Sequence, residues 1–208
     1  MVARGARVVE TYRYEHADGS PFAEKVRLEP KAFRWRHSVN GTLMSGKGNG
    51  PIPPYGLTRL IEHADQPVFI VEGEKDADRL NAAGQVAISI EQGHEATAAA
   101  HLAGRTVFII PDNDKAGSNR ARAVLEAVQS VAAAARTIAL PGLDEKGDVS
   151  EWLDAGHKID ELIRVTEGAH TALLDLEELE ETEFDEIRKS YLQLARKARE
   201  DLRRGKRD

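Results

Sequence analysis

Two short apolar runs, each ending abruptly in acids, constrain this chain most. Val68 to Val71 runs into Glu72 and Gly73, and a segment with helical apolar periodicity begins at Asp76. The second run starts at Thr106, passes through Val107–Ile110 and Pro111, and meets Asp112 and Asp114 before another periodic segment. A run of four apolar residues bounded by turn formers fits a strand buried on both faces, and steps of three and four fit a helix packed on one side. Strand, turn and helix repeated in this way predict a mainly parallel sheet covered by helices. Such sheets place ligand sites at the carboxyl ends of their strands, where Glu72, Asp112 and Asp114 fall.

The centre of the chain keeps this plan. Further strands are expected over 85–90 and 135–140, and helices over 76–83, 95–102, 115–130, 149–154 and 159–166. The region before it is different. RVVETYRYE and FAEKVRL alternate around Ala17-Asp18-Gly19-Ser20, a hairpin pattern, because Asp-Gly supplies the positive φ angles of tight turns. AFRWRH, residues 32–37, reads as a third strand with Phe33 and Trp35 on one face and Arg34 and Arg36 on the other. Those arginines are candidate phosphate contacts, with an aromatic available to stack a base. The same pattern also fits a half-buried strand with a charged solvent face. Residues 40–56, rich in Gly and Pro, read as a loop or linker. GKGNG within it is not a P-loop, since Pro51 follows where that motif requires Gly-Lys-Ser/Thr. After residue 170, leucines and aromatics recur every three or four positions, which predicts a long helix, acidic first and basic last. The expected organisation is a basic β-rich region and linker over 1–62, an α/β domain over 63–170 and a helical tail over 171–208.

Charge supports this division. The net charge is −6 overall, but residues 1–62 carry ten Lys/Arg against six Asp/Glu, and residues 63–170 carry ten against eighteen. An acidic centre behind a basic region suits a cation site beside an anion-binding surface. There is no Cys, which excludes disulfides, thiol nucleophiles and Cys-ligated zinc within the chain. No apolar run approaches the length of a membrane span and the first residues lack a signal-peptide core, so a cytoplasmic, membrane-free protein is expected.

Glu72, Asp112, Asp114 and Asp148 all lie at strand ends or in the loops after them. Gathered carboxylates repel and need protons or cations to coexist. Mg²⁺, with Mn²⁺ as a substitute, fits hard oxygen donors that share the ion with phosphates. Other readings of Asp-Asn-Asp fit less well. An EF-hand would need Glu where Ala123 stands, and a phosphoaspartate motif would need Thr where Ala116 stands. Helix capping by Asp112 or Asp114 and by Asp148 or Ser150 is the plain alternative.

Glu72-Gly73 with Asp76, then Asp112-x-Asp114 with Gly117, resembles the TOPRIM domain of primases, topoisomerases and some nucleases. VEGEKDAD, IIPDNDKAG and EKGDVSEWL look most like the primase and primase–helicase proteins of phages and mobile elements, and the likeness extends over roughly residues 7–166. The resemblance implies catalytic roles for Glu72, Asp112 and Asp114. It implies a metal set of Glu72, Asp76, Asp112, Asp114 and Asp148. It makes Lys75, Lys115 and Lys146 candidate triphosphate or backbone contacts. It also implies single-stranded DNA and nucleoside triphosphates as ligands, with a replicative helicase or a zinc-binding protein as partner. A TOPRIM nuclease and a noncatalytic binding module are the alternatives.

Overall fold

The computed structural model describes residues 6–168. The tail and its expected long helix, residues 171–208, lie outside the described residues. Residues 6–162 form one compact unit.

Alternation builds the first sheet. β1 (Arg7–Glu15) and β2 (Pro21–Glu29) pair antiparallel across the Asp18-Gly19 turn, with Tyr12 opposite Lys25 and Tyr14 opposite Ala23. Tyr12, Tyr14, Ala23, Val26 and Leu28 are buried. β3 (Ala32–Val39) follows, and then β4 (Thr42–Ser45), giving the order β1-β2-β3-β4. β4 lies inside the stretch expected to be loop. Its turn is Asn40-Gly41, both residues at positive φ, with Val39 opposite Thr42. That is the geometry Asn-Gly favours in two-residue hairpins.

The rest of the Gly/Pro stretch is also structured. Ile52, Pro53 and Pro54 are buried, and Tyr55 forms a backbone bridge with Ser89. Proline brings no N–H to satisfy, so burying two in succession costs fewer backbone hydrogen bonds.

The second sheet is parallel, in the order β6-β5-β7-β8. β5 (Val68–Val71), β6 (Val86–Ser89) and β7 (Thr106–Ile110) are buried almost throughout, and β8 (Ala134–Thr137) forms the more exposed edge. On one face Val68, Ile70, Val86, Ile88, Val107 and Ile109 pack with Leu60 of α1 (Leu57–Glu62), Ala98 of α3 (Glu95–Ala99) and Val124 of α4 (Lys115–Val128). On the other, Phe69 and Phe108 lie ring to ring at 5.6 Å. α2 (Glu74–Ala82) packs on β5 and β6 with Ala77 and Leu80 fully buried, and α5 (Val149–Asp154) packs beside α2. Residues 159–168 are helical.

The chain goes from β5 outward to β6, then back past β5 to β7. The strand order therefore reverses direction between β5 and β7, and open sheets of this kind bind ligands at the carboxyl ends of the strands at such a point.

Candidate active site

β5 and β7 are neighbours in register, with Val71 opposite Ile110. The first residues beyond them must emerge side by side. Glu72 Oε1 accepts a hydrogen bond from the Asp112 backbone N–H at 3.3 Å. Two residues on, Asp114 caps α4, its Oδ1 accepting from the Gly117 N–H at 2.7 Å. Gly117 is required by space. A Cβ there would sit 2.3 Å from the Asp112 carbonyl oxygen and 2.6 Å from Glu72 Oε1. Real Cβ contacts are never so short, so the first turn of α4 can approach both acids only with glycine. Further along α4, Arg120 reaches the other oxygen of Glu72 at 3.8 Å and donates to the Ile90 carbonyl.

Asn113, between the two aspartates, joins two loops. Its N–H donates to the Gly147 carbonyl and its carbonyl accepts from the Lys146 N–H, both at 2.9 Å. Its side-chain amide donates to the carbonyls of Leu143 at 2.7 Å and Asp144 at 3.0 Å. The loop that ends in Asp148 is thereby stitched to the loop holding Asp112 and Asp114. Asp148 then caps α5 by accepting from the Glu151 N–H at 2.9 Å.

Lys75 occupies the other end of the site. Its Nζ lies 2.7 Å from Asp148 Oδ2 and 3.5 Å from Asp76 Oδ1. Asp76 is only 5% exposed and also accepts from the Ser150 hydroxyl.

Electrostatics divides the acids. Burial, then the charges of Glu72, Asp76, Asp148 and Asp114, push the Asp112 carboxyl up to about 7. Burial also raises Asp76; repulsion from Asp148 adds to this, against the Ser150 hydrogen bond and the Lys75 charge. Asp148 is partly buried, which opposes its ionisation. The hydrogen bonds from Lys75 and the Glu151 N–H outweigh that burial and hold Asp148 below its ordinary value.

The donor chemistry fits a hard divalent cation. Every acid named is an oxygen ligand, and Asp112 has the profile of a carboxylate lacking a counter-charge. As the side chains stand, no three His, Asp or Glu groups among the described residues converge to hold one ion. Glu72, Asp112 and Asp114 line one end, and Asp76 and Asp148 are engaged by Lys75 at the other.

The remaining sequence candidates fall elsewhere. Lys115 begins α4 and is exposed. Lys146 is exposed at φ 65°, in the loop stitched to Asn113. Arg34 is exposed and donates to the Phe33 carbonyl, and Arg36 forms an ion pair with Glu24 at 2.6 Å. Phe33 and Trp35 share one face of β3 as expected, with Lys25 Nζ 5.3 Å and 5.6 Å from their ring centroids. Trp35 packs against Tyr14 at 4.8 Å, but Phe33 is 39% exposed.

One group near the site carried no sequence signal. Glu74, at the start of α2, is 5% exposed. It accepts from the Tyr14 hydroxyl at 2.5 Å and from Lys25 Nζ at 2.7 Å. Lys25 also reaches Glu91 at 3.2 Å, and Glu91 accepts from Lys47 at 2.8 Å. This network ties the antiparallel sheet to the helix that follows Glu72. Its partners are 49 and 60 residues away in sequence, so only a charge in the turn before the expected helix was visible beforehand.

Known structures share this fold. The DnaG primase catalytic domain bound to single-stranded DNA superposes with a TM-score of 0.56 at 18% identity, over 76% of this chain and 52% of that one. The primase of Aquifex aeolicus, with its zinc-binding and RNA polymerase domains, gives 0.57 at 17% identity, over 76% and 39%. The primase fragment of the bacteriophage T7 primase-helicase gives 0.52 at 19% identity, over 74% and 60%. The fold is primase-like. At these identities the likeness concerns the fold alone, and the chain spans about half the length of the DnaG catalytic domain it matches. No curated protein sequence matches this one significantly. A family model described as low affinity iron permease matches residues 153–208. Residues 171–208 within that match hold twenty Asp, Glu, Lys and Arg. Among the described residues no helix is long and apolar enough to cross a membrane.

Proposed function

We propose that this chain is a TOPRIM protein of the primase type, which makes short primers on single-stranded DNA in phage or mobile-element replication. One observation carries this reading. In a primase-like fold, Glu72 and Asp112 emerge from adjacent parallel strands and meet through the Glu72 Oε1 to Asp112 N–H contact of 3.3 Å.

The reaction is nucleotidyl transfer. A 3′-hydroxyl oxygen attacks the α-phosphorus of an incoming triphosphate, the α–β bridging bond breaks, and pyrophosphate leaves. Glu72, held by Arg120 on one oxygen and by the Asp112 N–H on the other, would accept the hydroxyl proton. Asp112 and Asp114, with Glu72, would hold Mg²⁺ or Mn²⁺, which when bound neutralises charge on the triphosphate. Exposed Lys115 and Lys146 flank the aspartates and would meet phosphate. Arg34, exposed on the antiparallel sheet, would meet template phosphate. These residues contain no Cys, so a zinc-dependent template reader would lie outside them, and a replicative helicase is the natural companion.

A noncatalytic nucleic-acid-binding module is the second reading. The absence of three convergent ligands among the described residues favours it. One experiment separates the two. Protein, Mg²⁺ and labelled single-stranded DNA are incubated with and without labelled nucleoside triphosphates. New oligomers that require nucleotides support priming. Shortened DNA without nucleotides indicates a nuclease. Retention of DNA with neither product, unchanged in Glu72→Gln, indicates a binding module.

A further inference from the structure

The acids of the site are compensated unequally. Lys75 bridges Asp148 at 2.7 Å and Asp76 at 3.5 Å. Its neighbours fix it there: Asp148 is oriented as the cap of α5, and Asp76 is buried and held by Ser150. The Lys75 side chain is 44% exposed, so its ammonium enters from the solvent side, as a metal ion would. Glu72 has Arg120 within 3.8 Å. Among the described residues no cationic side chain forms an ion pair with Asp112, although Glu72, Asp76, Asp114 and Asp148 all act on its charge.

We infer that Lys75 is a built-in cation that takes the place of a divalent ion at the Asp76–Asp148 end, leaving the Asp112 end to a single ion. This rests on the metal-dependent reading above and changes its stoichiometry. It also gives Lys75 a different task from the phosphate contact its sequence position implies. An ammonium bound to two carboxylates neutralises one unit of charge without the coordination demands of Mg²⁺. It also ties α2 to α5, so the two helices that carry Asp76 and Asp148 keep their spacing when no metal is present.

The test is direct binding of Mn²⁺ to the full chain, followed by electron paramagnetic resonance of free Mn²⁺, with no substrate present. Wild type is expected to bind one ion per chain. Lys75→Met and Lys75→Gln, which differ in polarity but share the lost charge, are expected to bind a second ion. At the least, they should bind Mn²⁺ about tenfold more tightly, as removal of a like charge a few ångströms away requires. Lys75→Arg should behave as wild type, and adding Asp148→Asn to Lys75→Met should abolish the gain. Unchanged stoichiometry and affinity in both neutral variants would overturn the inference, as would two ions bound by wild type. The underlying reading fails separately, if Asp112→Asn binds Mn²⁺ as well as wild type does. No binding by wild type or by the neutral variants would overturn both.

Discussion

At the scale of residues, the site depends on small groups as much as on its acids. Gly117 is the clearest case, because any side chain there meets the Asp112 carbonyl and Glu72 Oε1. Gly117→Ala should force α4 away from both acids. A loss of about 1–3 kcal/mol, the usual cost of overpacking, is expected in urea unfolding, together with loss of any metal-dependent activity. Full stability in the alanine variant would show that the close approach is not needed.

Asp112 makes a pH prediction. Its carboxyl is raised from 3.8 to about 7, chiefly by burial and then by neighbouring carboxylates. Between those values the folded state holds a proton that the unfolded state has lost, so this group's contribution to stability falls as pH rises from about 4 to about 7. Asp112→Asn should therefore gain stability relative to wild type over that range and hold the gain above it. Because the group is partly exposed and screened, about 1–2 kcal/mol is expected, or roughly 2–5 °C in Tm. Thermal unfolding at pH 4.5 and pH 8 without divalent ions checks this; an equal offset at both would contradict it.

Glu72, Asp112, Asp114 and Asp148 were legible in the sequence because each lies at the end of an apolar strand or in the loop after one. The partner of Lys75 was not. Asp148 is 73 residues away, and only the packing of α5 beside α2 brings it within 2.7 Å.

At the scale of elements, the hairpin and the β5 and β7 strands could be read from periodicity, since alternation and buried runs are local properties. β4 could not, although its Asn40-Gly41 turn is a hairpin signal, because the surrounding glycines made the whole stretch resemble linker. The burial of Ile52, Pro53 and Pro54 depends on surfaces supplied from far along the chain, such as His94, whose ring accepts from the Ile52 N–H at 3.2 Å. The link between the antiparallel sheet and α2 is the buried Tyr14–Glu74–Lys25 network. Removing Lys25 leaves a buried carboxylate without its cation, and Lys25→Met should cost about 3–5 kcal/mol. Tyr14→Phe removes one hydrogen bond of that network and should cost about 1–2 kcal/mol. Arg34→Ala, on the exposed face of β3, should change stability by less than about 0.5 kcal/mol. Denaturant midpoints will give the order; a Lys25 variant as stable as the Arg34 variant would show that the network does not bind sheet to helix.

At the scale of the whole molecule, the strand order β6-β5-β7-β8 is what turns separate motifs into a site. It places the end of β5 beside the end of β7, and Asn113 draws in the loop that precedes α5. That order follows from crossovers and long-range pairing, which periodicity predicts in kind but not in sequence of neighbours. The same architecture recurs in primase catalytic domains at under 20% identity, as expected when buried runs and turns carry a fold and surfaces diverge. The most direct measurement of the central claim is incorporation of labelled nucleotide on single-stranded DNA with Mg²⁺ or Mn²⁺, comparing wild type with Asp112→Asn. Short oligomers from wild type are predicted, with at least about a hundredfold less from the variant, the scale of losing a key charge-stabilising group. Equal yields from the two proteins, or none from either, would contradict it.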